Sequence, residues 1–123
     1  MALLGSGANI DPQDPQNQER RSPLCAASAN GHKDIVKLLL DRGANINAET
    51  GDYGTALQAA SSRGDEKIVE LLLNRGANIN AETGDYGTAL HAACSRGDKK
   101  IVELLLNRGA NVNAEVGYFG IAL

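Results

Sequence analysis

The residues of this chain best suited to nucleophilic chemistry are His91 and Cys94, which lie three positions apart. On a helix this spacing places the two side chains about one turn apart, where an imidazole can deprotonate a thiol to give a reactive thiolate. A closely similar segment occurs 33 residues earlier, however, and has Gln58 and Ser61 at the same positions. Glutamine and serine cannot perform that chemistry. The sequence therefore predicts packing roles for both residues, and no catalytic residue.

Other chemically active combinations are incomplete. The acidic pair Asp65-Glu66 precedes an apolar helical pattern, where carboxylates cap backbone N–H groups and favour the helix dipole. Residues 5–7 are glycine-rich but lack the following Lys-Ser/Thr of a phosphate loop. The cysteines and histidines are scattered without the spacing of metal ligands: Cys25, His32, His91 and Cys94. We therefore expect no cofactor and no metal ion.

Composition narrows the class of protein. The 123 residues carry a formal net charge of −3, and acidic and basic residues alternate, so no basic face is available to nucleic-acid phosphates. No apolar run approaches the roughly 20 residues of a membrane helix, and no secretory signal precedes the first polar segment. We expect an intracellular protein, cytoplasmic or nuclear, with no nucleic-acid or membrane partner. The chain has no Trp, one Phe, three Tyr and 14 Gly, which favours a core of small and aliphatic side chains joined by many turns.

The chain is internally repetitive. The Ile-Val pairs beginning at residues 35, 68 and 101 are 33 residues apart, and glycines recur at the same interval. Three units follow from this period, residues 22–54, 55–87 and 88–120, and the second and third agree at 26 of 33 positions. Such a period is typical of a solenoid built from one supersecondary unit.

Each unit predicts two short helices. The first helices are expected at Pro23–Asn30, Ala56–Arg63 and Ala89–Arg96. In the second helix of the first unit, from Lys33 to Arg42, a stripe at residues 34, 37 and 41 is polar, so the remaining faces are expected to be buried. Glycines at 43, 76 and 109 should end the second helices with positive φ, and Asp65 and Asp98 should cap the N-termini of the second and third.

The motifs of the third unit resemble the ankyrin repeat. They are Thr-Ala-Leu-His-Ala-Ala at residues 88–93, Gly97, Ile-Val-Glu-Leu-Leu-Leu at 101–106 and Arg-Gly-Ala-Asn-Val-Asn-Ala at 108–114. The resemblance covers nearly all of residues 22–123 and implies an all-α solenoid of helix-turn-helix units joined by hairpin-like fingers. The family's Thr-Pro-Leu-His motif survives only in pieces, and Tyr53 and Tyr86 stand where the finger usually has glycine. The Tyr-Gly-Thr-Ala-Leu-Gln-Ala-Ala-Ser segment at residues 53–61 is similar to arrays at the C-terminal ends of large fungal nucleotide-binding receptor proteins.

Both ends of the chain contain parts of further repeats. Residues 3–10 are similar to residues 39–46, so residues 1–21 are interpreted as the tail of a preceding repeat plus a long polar finger. Residues 121–123 begin a truncated repeat. No polar capping repeat is present, and solenoids usually require one. We therefore expect a fragment of a longer polypeptide whose uncapped ends permit nonspecific dimers.

In the family, partners dock on the finger tips and on the concave side of the first helices. The resemblance therefore implies candidate contacts at the ends of the first helices, which are Asn30, Ser62, Arg63, Ser95 and Arg96. In the fingers it implies Asp52, Tyr53, Asp85, Tyr86, Tyr118 and Phe119. The aromatic residues at 53, 86 and 119 either anchor a partner or pack beneath the fingers onto the next helix pair. Arg63 and Arg96 either line a mixed-charge groove or are solvated at the end of a helix, where cations favour the dipole.

These observations predict a non-catalytic protein–protein interaction module. The alternative is a structural spacer or self-assembly array with no dedicated partner groove. The near-identity of the second and third units favours the alternative, because an asymmetric partner normally drives surface positions apart.

Overall fold

The computed structural model describes residues 22–50, 54–82 and 87–113, and these residues form six helices. The helices are α1 (Pro23–Ala29), α2 (Lys33–Asp41), α3 (Ala56–Arg63), α4 (Glu66–Asn74), α5 (Ala89–Arg96) and α6 (Lys99–Asn107). The predicted all-α fold is confirmed, since the described residues contain no strand and only isolated bridges, such as the one between Thr50 and Gly54. The predicted bounds of α3 and α5 are confirmed, whereas α1 and α2 each end one residue earlier than predicted.

The first helices, α1, α3 and α5, pack side by side, and each also packs against the second helix of its own unit. The second helices, α2, α4 and α6, contact one another less extensively, so the array is narrower on the side of the first helices. Small side chains such as Ala60 and Ala93, both fully buried, permit this close approach. Helices of seven to nine residues are not stable alone in water. Packing between neighbouring units therefore provides the stability of the array.

The predicted N-caps of the second helices are confirmed. An oxygen of Asp65 accepts a hydrogen bond from the backbone N–H of Ile68 at 3.1 Å, and Asp98 accepts one from Ile101 at 3.2 Å. His32 occupies the equivalent position before α2 and makes no side-chain capping bond. The two aspartates thus satisfy N–H groups that would otherwise lack a helical partner.

The glycines after the second helices adopt the predicted left-handed conformation. Gly76 has φ of 95°, and its N–H donates to the carbonyl of Leu73 at 3.1 Å. The next N–H, of Ala77, donates to Leu72 at 3.0 Å. This pair of bonds is a Schellman motif, which satisfies the last carbonyls of α4 and turns the chain toward the finger.

The expected burial of every non-polar face of the second helices is wrong at the two ends of the described array. Ile35 of α2 is 47% exposed, although the equivalent Ile68 and Ile101 are completely buried. Leu106 of α6 is 38% exposed, whereas Leu73 of α4 packs against the core. Ile68 and Ile101 belong to units that follow another described unit, whereas Ile35 belongs to the first described unit and Leu106 to the last.

Candidate protein-binding surface

Five of the eleven sequence-predicted contact residues lie in the described part of the chain and form one row. We call this the inner row: Asn30, Ser62, Arg63, Ser95 and Arg96. They occupy the C-terminal ends of α1, α3 and α5, and side-by-side packing of these helices brings equivalent positions together. Ser62 is half-buried and the other four residues are exposed. The row is therefore accessible along its length.

Each arginine of the inner row lies over the turn of the preceding unit. Arg63 Nη1 donates to the carbonyl oxygen of Ala29 at 3.4 Å. Gly31 has φ of 77°, and a Cβ added to it would lie 2.5 Å from Arg63 Nε. Arg96 lies in the same way over Gly64, where an added Cβ would lie 2.6 Å from Arg96 Cζ. A glycine in each turn thus leaves the space that the next unit's arginine occupies.

The arginines are oriented but not neutralised. Arg96 Nε lies 3.9 Å from Asp98 Oδ2, with side-chain exposures of 49% and 24%. An exposed ion pair at this separation is weak because water and salt screen it. Both arginines are exposed, and the remaining N–H groups of an exposed guanidinium can bind carboxylates or carbonyl oxygens.

Beside the inner row lies a shallow floor of alanines. Ala26 is half-buried, and Ala59 and Ala92, at the equivalent positions of α3 and α5, are 3% and 5% exposed. Methyl side chains leave room for another polypeptide to approach the helix backbones.

The six candidate residues in the fingers lie outside the described residues: Asp52, Tyr53, Asp85, Tyr86, Tyr118 and Phe119. The base of the first finger is described, and it has the predicted hairpin-like closure. Thr50 N–H donates to Gly54 O at 2.7 Å, and Gly54 N–H donates to Thr50 O at 3.2 Å. The two predicted roles of the finger aromatics, contact with a partner and packing beneath the fingers, therefore both stay predictions.

Gln58 connects its first helix to the finger that follows, which sequence reasoning missed. Its Oε1 accepts from the N–H of Thr55 at 2.7 Å, completing a capping box. Its Nε2 donates to the carbonyls of Ala81, at 3.3 Å, and of Gly87. Cys25 makes the equivalent contacts in the first unit through its thiol, which is 1% exposed. The sequence signal for this role was a polar residue, Gln58, among the apolar residues at the start of α3.

The geometry supports the packing role predicted for His91. Its Nδ1 accepts a hydrogen bond from the backbone N–H of Thr88 at 3.2 Å and lies 2.8 Å from Thr88 Oγ1. That nitrogen therefore serves the cap of α5. Cys94 is exposed, but the equivalent Ser61 is completely buried. Within the three described ranges, no cluster of three or more His, Cys, Asp or Glu side chains could hold a metal ion.

Two polar ladders cross the boundaries between units on the side of the second helices. Arg75 Nη2 lies 2.7 Å from Asp41 Oδ1, and this hydrogen bond, together with the nearby Lys37, lowers the pKa of Asp41. In the next unit, Arg108 Nη2 donates to Asn74 Oδ1 at 2.8 Å. We call these pairs the arginine ladder.

The second set of contacts, the asparagine ladder, uses side-chain amides near the fingers. Asn47 Oδ1 accepts from the backbone N–H of Asn78, and Asn80 Oδ1 accepts from that of Asn111, both at 2.8 Å. Both ladders repeat at the period of the sequence, so each boundary between units has the same arrangement of polar contacts.

None of the six described helices is long and apolar enough to cross a membrane.

Comparison with known protein families agrees with this architecture. A family model described as ankyrin repeats, in three copies, matches residues 1–83 and residues 48–116. A search of curated proteins found no match to the chain. Ankyrin repeats are generally non-catalytic modules that typically bind proteins. The family match, the paired helices and the 33-residue period agree, and the chain belongs to the ankyrin repeat family.

Proposed function

We propose that this chain is a non-catalytic recognition module that binds another protein along the inner row. The observation that carries the proposal is the placement of Arg63 and Arg96, which project from equivalent positions of α3 and α5 and are held over Gly31 and Gly64. Arginine is enriched at protein interfaces because its planar group binds carboxylates and carbonyls with defined geometry. Here its orientation is set before any partner arrives, which reduces the entropy lost on binding.

The chemistry of the row indicates which part of a partner it binds. The alanine floor offers little apolar area, so the arginines and the flanking Ser62 and Ser95 supply polar contacts to a partner backbone. An extended segment bearing carboxylates fits this surface best, because two guanidinium groups repeat along it. The acidic tips expected at Asp52 and Asp85, with the aromatics Tyr53, Tyr86, Tyr118 and Phe119, would extend the same surface beyond the first helices.

Site-specific photocrosslinking in extracts tests the proposal. A photoreactive residue in place of Ser62 or Ser95 should capture one protein repeatedly, and the same residue in place of Glu70 or Glu103 should not. Glu70 and Glu103 are matched controls because they are exposed and lie on the second helices of the same two units. Capture should be lost when Arg63→Glu and Arg96→Glu are introduced together, and kept with Lys67→Glu and Lys100→Glu. Equal capture from both sides would overturn the proposal.

The wider setting belongs to the same proposal. Residues 22–54, 55–87 and 88–120 would be three ankyrin repeats within a longer array, and the parent would be a multidomain intracellular protein of the cytoplasm or nucleus. Because the array resembles those of fungal nucleotide-binding receptors, we propose that the parent protein is a receptor of this kind and that this array is its sensing part. Sequencing the coding region upstream of Met1 tests it, and an encoded nucleotide-binding domain is the expected result.

A second candidate function is a structural spacer. The agreement of residues 55–87 and 88–120 at 26 of 33 positions favours it, because a spacer needs identical boundaries but no asymmetric groove. A spacer would tolerate the Arg63→Glu and Arg96→Glu pair without change in any captured protein. The crosslinking experiment therefore separates the two functions.

A further inference from the structure

The two arginines of the inner row are held in equivalent places. Arg63 lies over Gly31 and Arg96 over Gly64, and in both pairs a Cβ added to the glycine would lie 2.8 Å from the guanidinium Nη2. Because each side chain lies over the turn of the preceding unit, the two guanidinium groups are separated by the displacement from one first helix to the next. Helix packing therefore sets the spacing of the two charges along the row.

This displacement follows from the small side chains between the first helices. Ala60 and Ala93 are fully buried there, and α1, α3 and α5 pack side by side. The axes of packed helices lie roughly 8–10 Å apart, depending on the size of the side chains at the contact. A partner segment that offers one carboxylate to each arginine must repeat at about this distance.

The regular conformations of a polypeptide differ in the distance at which they repeat one face. A β-strand returns a side chain to the same face after about 6.6 Å and again after about 13 Å. One turn of an α-helix rises about 5.4 Å, and two turns rise about 10.8 Å. A polyproline II helix has three residues per turn and rises about 9.3 Å in that turn. Of these distances, only that of polyproline II falls within the spacing of the first helices.

From this match we propose that the inner row recognises a polyproline II segment of its partner, with acidic residues at every third position. The inference rests on the proposed function and adds the conformation of the partner and the spacing of its charges. Successive carboxylates of such a segment lie on one side, and each pairs with one guanidinium, Arg63 or Arg96.

The serines beside the arginines fit the backbone of such a segment. Ser62 is half-buried and Ser95 is exposed, and each hydroxyl can donate one hydrogen bond and accept others. Polyproline II has no internal hydrogen bonds, so its carbonyl oxygens are free to accept from these hydroxyls. In an α-helix most of these carbonyls are already paired. The segment is also extended before it binds, so it loses little conformational entropy.

Fluorescence anisotropy with labelled synthetic peptides tests the spacing. One peptide repeats Glu-Pro-Pro, so its glutamates recur at every third position. A second peptide has the same composition, with its glutamates at alternate positions and the remaining prolines at its end. Its charge is unchanged, but successive glutamates lie on different sides. The first peptide should bind at least about ten-fold more tightly, because only it can pair neighbouring glutamates with both arginines.

A third peptide, which repeats Glu-Gly-Gly, tests the conformation. It keeps the spacing of the glutamates along the sequence, but a glycine-rich chain is flexible and loses more freedom when it is ordered on a surface. It should therefore bind more weakly than the Glu-Pro-Pro peptide.

Substitutions of single arginines assign the preference to the inner row. In Arg63→Gln and in Arg96→Gln one guanidinium remains, so the Glu-Pro-Pro peptide and the alternate peptide should bind equally weakly. The two variants test the same point independently, so one that folds is sufficient. Arg108→Gln is the matched control, because it removes the same charge from an exposed arginine on the side of the second helices. It should keep the full preference.

The outcomes separate this inference from the proposed function. Equal binding of the Glu-Pro-Pro and alternate peptides would overturn the spacing, and a Glu-Gly-Gly peptide that binds as tightly would overturn the conformation. A preference that survives both arginine substitutions, or a failure of all three peptides to bind, would also overturn the inference. The proposed function would stand after any of these results if crosslinkers at Ser62 and Ser95 still capture one protein, and it fails if they do not.

Discussion

Arg75 of α4 reaches back to Asp41 of α2, and the 2.7 Å separation of their Nη2 and Oδ1 atoms joins two units across a repeat boundary. The next boundary repeats the geometry with a neutral acceptor, since Arg108 binds Asn74 at 2.8 Å. The same contact thus occurs with and without a negative charge on its acceptor. This pair provides an internal comparison of what the charge contributes.

The charge on Asp41 should make stability dependent on pH in acid. The Arg75 hydrogen bond lowers the pKa of Asp41 below its ordinary value of 3.8. A carboxyl with a lowered pKa in the folded state stabilises the fold above its unfolded pKa, and that contribution is lost as the pH falls through the folded value. The Tm should therefore decrease below about pH 4 partly because Asp41 becomes protonated.

Asp41→Asn is the variant that isolates this effect. Asparagine keeps an acceptor for Arg75, as Asn74 does for Arg108, so the variant should fold normally and lose less Tm between about pH 4 and pH 2 than the unaltered chain. Asn74→Asp should do the opposite at the next boundary. Circular dichroism melting at several pH values measures both, and an unchanged acid slope in Asp41→Asn would contradict the prediction.

Gln58→Ala should be among the most destabilising changes in the middle unit. It removes an acceptor from Thr55 and a donor from Ala81 and Gly87, within a site where Gln58 is 1% exposed. Leaving buried backbone groups unpaired should cost about 2–3 kcal/mol in the free energy of unfolding, measured by urea denaturation.

Gln58→His should cost less than half as much, because His91 already completes the equivalent cap with Thr88. Ser62→Ala, on the accessible side of the same helix, is the control and should change stability by less than about 0.5 kcal/mol. A Gln58→Ala variant as stable as this control would show that the bonds across the finger contribute little.

Ser61→Ala should leave the fold unharmed or stabilise it. The Ser61 hydroxyl is completely buried and has no hydrogen-bond partner in the described structure, and Ser28 is in the same situation. Removing an unsatisfied hydroxyl should gain up to about 1 kcal/mol, reduced by the small void it leaves. Differential scanning calorimetry measures the shift in Tm, and a loss of more than about 1 kcal/mol would indicate an ordered water on the hydroxyl.

Gly64→Ala and Gly97→Ala should separate backbone strain from the position of Arg96. Both glycines have positive φ, 87° and 79°, so each substitution should cost about 1–2 kcal/mol. Only at Gly64 would the new Cβ meet Arg96, and nothing lies within 4 Å of a Cβ at Gly97. The new methyl group should displace the Arg96 guanidinium from its place over the turn, because the atoms it meets lie at the far end of that side chain.

The position of Arg96 can be followed through the NMR signal of its Nε–Hε group. This signal should shift in Gly64→Ala and stay unchanged in Gly97→Ala. Equal spectra in the two variants would mean that Arg96 does not lie over the turn in solution. The comparison also reports on the inner row without needing the partner protein.

Much of the fold was predictable because the signals are local and recur three times. The bounds of α3 and α5, the caps at Asp65 and Asp98 and the left-handed glycine at position 76 follow from residue type and period alone. The contacts that Arg63 and Gln58 make with other units were not predictable, because they join residues 23 to 34 positions apart. Their partners depend on the displacement between successive units, which no local pattern specifies. The roles of the finger residues, Tyr118 among them, also depend on tertiary placement and stay predictions.

The shared register of the boundaries has a consequence for how such a gene can change. Unequal recombination between near-identical segments adds or removes whole 33-residue blocks, and every junction in the product keeps Arg paired with Asp or Asn at its proper distance. An insertion of any other size within a helix shifts the donors away from their acceptors. The number of repeats can therefore change while the protein continues to fold. Natural variants of this gene should differ by complete 33-residue repeats.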